Sequence, residues 1–301
     1  MTNKKLHPIV QPSAGDNVKG IIFMILSMFS FSAVDAIAKF LTADFHPFQI
    51  VWTRYLGLFF GILFLMIWRG VSLLKTERRT LQLARGAMAA LSAVLFVTAV
   101  NFVPLADAIT VTFIAPFVVT ILSALLLREK VGVHRWSAVI FGFLGTLIVM
   151  RPGFEEFNPA LLLAVVAAVL FAFRQLLSRY LSAFDNTETT VAYTALVSIL
   201  ILSIPLPFIW QTPLSWFQIM LMAAMSIMAG FGELLVIKSL EVGLAVVVSP
   251  MHYTILIWGI MYGYLIFGDF PDSWTLSGAF IIILSGVYTF YRERKLDQRL
   301  S

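Results

Sequence analysis

Cysteine is missing from this chain altogether, and charge is scarce: Asp, Glu, Lys and Arg make up only 12% of its 301 residues. The first absence excludes disulfides, thiolate metal sites and cysteine nucleophiles, and it leaves the redox compartment open. The second excludes a soluble globular domain, which must cover its surface with polar groups. Also missing are a GxSxG elbow, an HExxH pair, a Walker A loop and the paired aspartates of intramembrane proteases. No enzymatic constellation is therefore expected, nor any cofactor or metal site. Without a nucleotide-binding domain the chain cannot draw on ATP hydrolysis itself. Of its histidines, His7, His46, His134 and His252, only the last falls well inside an apolar segment.

What is there is apolar. Hydrophobic residues account for 60% of the chain and the mean hydropathy is +0.92. A membrane-spanning helix needs roughly 20 mostly apolar residues. Ten such segments fit, at 18–40, 47–68, 81–101, 104–127, 134–151, 158–181, 190–210, 213–238, 243–267 and 273–291. The reading is an all-α membrane protein of ten transmembrane helices with short loops. The net charge of +5 then speaks of topology rather than nucleic acid, because cations collect on the cytoplasmic side. With a cytoplasmic N-terminus, seventeen Lys and Arg fall on the cytoplasmic side and only Lys39 and Arg151 on the other, with Arg54 and Arg174 inside helices. Ten spans place both termini in the cytoplasm, with residues 1–17 and 292–301 as tails.

The chain repeats itself. FSAVDAIAKFL at 31–41 aligns with FAFRQLLSRYL at 171–181 without a gap: Phe31 with Phe171, Lys39 with Arg179, Phe40 with Tyr180, Leu41 with Leu181, and Asp35 opposite Gln175. The echo continues where Leu105 and Ala106 meet Leu244 and Ala245, where Glu129 meets Asp269, and where Gly145 meets Gly286. Two five-helix units result, 18–151 and 158–291. Five is odd, so the second unit enters the membrane from the opposite side. Inverted repeats of this kind suit alternating access around a site between the halves.

These residues carry a resemblance. The aromatic-rich first span ending in lysine, the fourth span with Pro116 and Glu129, and the glycine-bearing fifth span resemble the EamA family of the drug/metabolite transporter superfamily. LARG at 83–86, SPMHY at 249–253 and FPDSWTLSGA at 270–279 resemble the branch holding bacterial S-adenosylmethionine and riboflavin uptake proteins. The resemblance implies a multi-pass protein of the bacterial inner membrane that moves a small molecule.

A charge at the bilayer centre costs about 2.5–3.5 kcal/mol on insertion scales, so it faces a cavity or a partner. At about 1.5 Å per helical residue, Asp35 and Arg54 lie about 8 and 10 Å below the outer surface and can pair. Two other arrangements remain open: Asp35 with Lys39 one turn on, and Asp107 capping its own helix after Pro104. Arg174 and Glu233 lie about 10 and 8 Å from the inner surface, and His252 about 13 Å. His252 suits either packing or a proton relay. Tyr253 and Trp258 are pathway candidates, because Pro250 breaks span nine and frees backbone groups. Asn101 and Gln175 add neutral polar groups, whereas the Gly57–Gly61 pair in span two reads as helix packing.

These residues suggest substrate binding or gating by Asp35, Arg54, Asn101, Arg174, Gln175, Glu233, His252, Tyr253 and Trp258. The expected function is secondary transport of a small polar or amphoteric metabolite, such as S-adenosylmethionine or riboflavin uptake. The alternatives are an exporter of amino acids or related metabolites with the same fold, and a non-transporting scaffold or lipid scramblase. The expected partners are the substrate, membrane lipids, a coupling proton or other ion, and at most a second copy.

Overall fold

The computed structural model describes residues 14–126, 133–151, 158–181, 184–242 and 249–300. Glu129, Leu244 and Ala245 of the repeat lie outside them. Among the described residues there is no strand. The helices are α1 (Ala14–Leu41), α2 (Pro47–Arg69), α3 (Arg79–Val100), α4 (Leu105–Thr112), α5 (Ala115–Leu126), α6 (Val133–Met150), α7 (Leu161–Leu181), α8 (Thr187–Ser203), α9 (Leu206–Ile209), α10 (Trp216–Val242), α11 (Thr254–Tyr262) and α12 (Ser273–Leu300). Among the described residues six helices are long and apolar enough to cross a membrane, and four shorter apolar helical stretches accompany them.

Local chemistry sets the boundaries. The α2 helix begins with Pro47 at its first turn, where a missing N–H is harmless, and His46 Nδ1 accepts from the Phe48 N–H. It ends at Gly70, whose φ of 77° only glycine adopts easily. The single span expected over 104–127 is broken at Phe113–Ile114. Pro116 has no N–H to donate and its ring crowds the carbonyl four residues back, so α4 stops at Thr112. Near Pro250 the chain takes a 3-10 turn (Ser249–Tyr253) before α11 and leaves α11 through a π turn (Gly263–Phe267). The span expected over 190–210 is likewise split into α8 and the short α9, next to Pro205.

The interior is assembled mainly from elements far apart in sequence. The α1 helix lies along α10 as α7 lies along α3. The α2 helix packs on α10 as α8 packs on α3, and α1 meets α11 as α7 meets α4 and α5. The pairs α2–α8, α4–α11 and α6–α12 join directly. Exchanging each element of the first unit with its counterpart in the second maps this set of neighbours onto itself. Two core clusters show the same interleaving, one joining Ala36, Val100, Ile109, Met150, Ala164, Leu256 and Ala279, the other Val34, Ile50, Val97, Leu202 and Met225.

The outer surface is inverted relative to a soluble protein. Phe64, Ile227 and Phe280 are 62%, 69% and 63% exposed, while Ser27, Asp35, Gln49 and Gln82 are buried. Apolar side chains facing out over polar ones facing in are the arrangement hydrocarbon demands. The molecule is a multi-pass membrane protein.

Candidate functional site

Polar side chains gather near both ends of the bundle and along its interior. At the end where α1 finishes and α2 starts, Arg54 Nη1 donates to Asp35 Oδ1 at 2.8 Å, with the side chains 21% and 9% exposed. Asp35 therefore pairs with Arg54 and not with Lys39. The Lys39 ammonium turns away to Asp269 Oδ2 at 2.8 Å and to the Val103 carbonyl at 3.2 Å, lying 4.7 Å from the Phe267 ring centre. Asp107 does not cap α4, whose start at Pro104 has no side-chain cap; its carboxylate accepts from Thr275 Oγ1 at 2.8 Å. The Arg151 guanidinium donates to Asp272. Asp272 lies in the loop before α12. Partial burial raises its pKa, but hydrogen bonds from the Thr275 backbone and the charge of Arg151 outweigh this and hold it below the usual carboxylate range.

At the opposite end Arg69 Nη1 meets both oxygens of Glu188 at 2.6 and 2.7 Å. Asp185 accepts from Thr76 and from Gln82, each at 2.7 Å. Between these residues lies a cleft of about 480 Å³ lined by Arg69, Lys75, Asp185, Glu188 and Thr189. Both ends are thus tied by bonds between the first and second units.

The deeper groups form two sets. In the first, Arg174 on α7 stacks on Phe171, with 4.7 Å from guanidinium to ring centre, and its Nε is buried without an acceptor among the described residues. Glu233 on α10 is half-buried, and it and Arg174 both lie within electrostatic reach of Arg85 on α3, as does Tyr55. In the second, Trp258 Nε1 and Ser32 Oγ are buried without hydrogen-bond partners among the described residues. Phe29 meets Trp258 edge-on at 5.3 Å and Tyr262 at 5.6 Å. Tyr253 meets Phe113 at 5.2 Å, and His252 lies half-buried beside it in the 3-10 turn. Asn101 and Gln175 stand apart, both exposed: Asn101 ends α3, and Gln175 faces outward beside Arg174.

Arg85 escaped the sequence reading, which counted it among the cytoplasmic cations. The available signal was its position six residues into α3, about 9 Å from the helix start. Its Nε donates to Ser178 Oγ at 2.6 Å, and its Nη1 donates to Thr194 Oγ1 and to the Thr190 carbonyl at 3.4 Å.

The family model described as EamA-like transporter family matches residues 18–151 and again 158–291. An S-adenosylmethionine uptake transporter of Rickettsia conorii is 28% identical over 281 residues, covering 93% of this chain and 95% of its own. A riboflavin transporter of Vibrio cholerae is 29% identical over 289 residues, covering 94% and 96%. A pseudopaline exporter of Pseudomonas aeruginosa is 26% identical over 270 residues, covering 88% and 94%. A crystal structure of a protein 17% identical in sequence superposes with a TM-score of 0.63 over 94% of this chain and 99% of that one, which speaks for the fold alone.

Proposed function

Since the chain belongs to the EamA-like transporter family, we propose that it is a secondary carrier moving a small polar or amphoteric metabolite across the bacterial inner membrane by alternating access. In this reading ten spans form two inverted units, 18–151 and 158–291, with tails 1–17 and 292–301 in the cytoplasm. The observation that carries it is the exchange symmetry of the packing, in which α1–α10 and α2–α10 are matched by α7–α3 and α8–α3. Units that interleave in this way can rock about a shared interior and open it to either side. Lys39 and Arg151 at one end, against Lys19, Arg69, Lys75 and Arg78 at the other, support the cytoplasmic termini.

The residues assigned to binding and gating are Asp35, Arg54, Arg174, Glu233, His252, Tyr253 and Trp258, joined by Arg85. S-adenosylmethionine and riboflavin head the substrate candidates, through the two uptake relatives. Export is the second reading, favoured by the pseudopaline exporter, whose identity is only slightly lower. The test is exchange of labelled S-adenosylmethionine and riboflavin across sealed vesicles containing only this protein. Transport that falls about tenfold or more in Arg174→Ala and in Glu233→Ala, with the variants still folded, supports the reading. Absence of any exchange, or labelled-lipid flipping in its place, overturns it.

A further inference from the structure

A cationic cleft opens where α2 leaves the hydrocarbon. The 23 residues of α2 rise about 34 Å, slightly more than the roughly 30 Å of a bilayer's hydrocarbon core. The stretch after Arg69 therefore lies at the depth of the lipid head groups. Leu73 is buried and Leu74 partly so against Ala192 and Ala195, which pins the 3-10 turn Val71–Leu74 to the bundle. The cleft of about 480 Å³ lies beside this turn, lined by Arg69, Ser72 and Lys75 from the first unit and by Phe184 and Asn186 from the second. The acids that line it are already occupied: Glu188 meets Arg69 through both oxygens, and Asp185 accepts from Thr76 and Gln82. The other cations here are not. Arg78 lies 4.9 Å from the centre of the Phe184 ring, and neither it nor Lys75 nor Arg79 forms an ion pair among the described residues. Against these three cations residues 69–80 hold one acid, Glu77.

Beside this charge the surface is apolar. Ile67, Trp68 and Val71 are exposed, and Phe64 meets Trp68 at 5.8 Å. Tryptophan at this depth anchors a helix at the membrane interface. We infer that the cleft binds the head group of an anionic phospholipid. Lys75 and Arg78 take its phosphate, and its acyl chains lie along Phe64, Ile67 and Trp68. Such a ligand matches both parts of the surface, whereas a soluble phosphate leaves the apolar flank unused. A zwitterionic lipid brings an ammonium of its own to a place where cations already outnumber free acids. Each Lys or Arg near a bilayer surface strengthens attraction to anionic lipid about fivefold. On the topology proposed above, this end meets the cytoplasmic leaflet, whose negative surface potential acts in the same direction.

The experiment measures lipid binding to the full-length protein in neutral detergent by native mass spectrometry. Phosphatidylglycerol, phosphatidylcholine, glycerol 3-phosphate and inorganic phosphate are each titrated. Phosphatidylglycerol should bind about tenfold or more tightly than phosphatidylcholine, and neither soluble phosphate should displace it. Lys75→Gln combined with Arg78→Gln should weaken phosphatidylglycerol binding about tenfold or more, and Lys75→Arg combined with Arg78→Lys should retain it. Lys75→Gln alone should weaken it about fivefold, and this variant guards against misfolding because its exposed ammonium has no ion pair to lose among the described residues. Lys19→Gln, which removes a cation from α1 at the same end but outside the cleft, should change nothing. Equal binding of the two lipids, or unchanged binding in the double Gln variant, overturns the inference. An equal loss in Lys19→Gln overturns it by assigning the effect to diffuse surface charge. Displacement of the lipid by inorganic phosphate overturns it in favour of a soluble anion. None of these readouts involves transport, so the carrier reading stands or falls separately.

Discussion

At the residue scale, Asp35 and Arg54 inside the bundle depend on each other. Removing one member of a buried pair strands the other, at a cost of about 3–5 kcal/mol, whereas removing both is far milder. Asp35→Asn should therefore lower unfolding stability in detergent by that order, and adding Arg54→Gln should recover most of it. Equal and additive losses would mean that the 2.8 Å pair contributes nothing by itself. Asp272 behaves differently because it lies outside the spans and its folded-state pKa is depressed. Its stabilisation is present above the unfolded value of about 3.9 and fades as pH falls through the lower folded value. The melting-temperature gap between wild type and Asp272→Asn should thus stay constant from about pH 5 to 8 and close only below about pH 4. A gap that closes near neutrality would assign the effect to another group. Sequence distance alone made Asp35 a partner for either Arg54 or Lys39. The choice fell to Asp269, which draws Lys39 away across 230 positions.

At the scale of elements, helix crossings depend on a few small residues. A Cβ on Gly57 of α2 would lie 2.1 Å from the Ser226 carbonyl oxygen of α10, so the backbones touch there. Gly61, one turn on, has nothing within 4 Å. The glycine pair legible in the sequence is thus half structural. Gly57→Ala should destabilise by about 1–3 kcal/mol through forced separation of α2 and α10. Gly61→Ala should be neutral or stabilise slightly through helix propensity. Denaturant titration of both variants decides, and a harmless Gly57→Ala would disprove the close crossing. Hydropathy located helices such as α2 to within a residue, because an apolar run has sharp ends at Pro47 and Arg69. It did not foresee the breaks inside 104–127, where Leu105–Leu122 still forms an apolar span, or inside 190–210, because proline breaks a helix without lowering hydropathy.

At the scale of the whole molecule, the two units are tied across both ends: Lys39 to Asp269 and Arg151 to Asp272 at one, Arg69 to Glu188 and Gln82 to Asp185 at the other. Alternating access requires each set to open in turn. The absence of cysteine makes the native chain a ready background for testing this. Cysteines placed at 39 and 269, or at 69 and 188, and joined by a short thiol cross-linker should each stop vesicle transport, and reduction of a cleavable linker should restore it. Full transport with either pair joined would show that the end does not open during the cycle.

The sequence by itself determined the solvent, the duplication and the family. Hydropathy, internal echo and motif are properties of the chain read in order, and no partner is needed to see them. Only the tertiary structure decided which charge answers which. Lys39 finds Asp269, Arg85 crosses to α7 and α8, and Arg174 lies over the Phe171 ring. Those outcomes depend on which faces of α1, α3, α7 and α10 meet. That is set by packing between the two units, because residues far apart in the chain become neighbours only when the halves interleave.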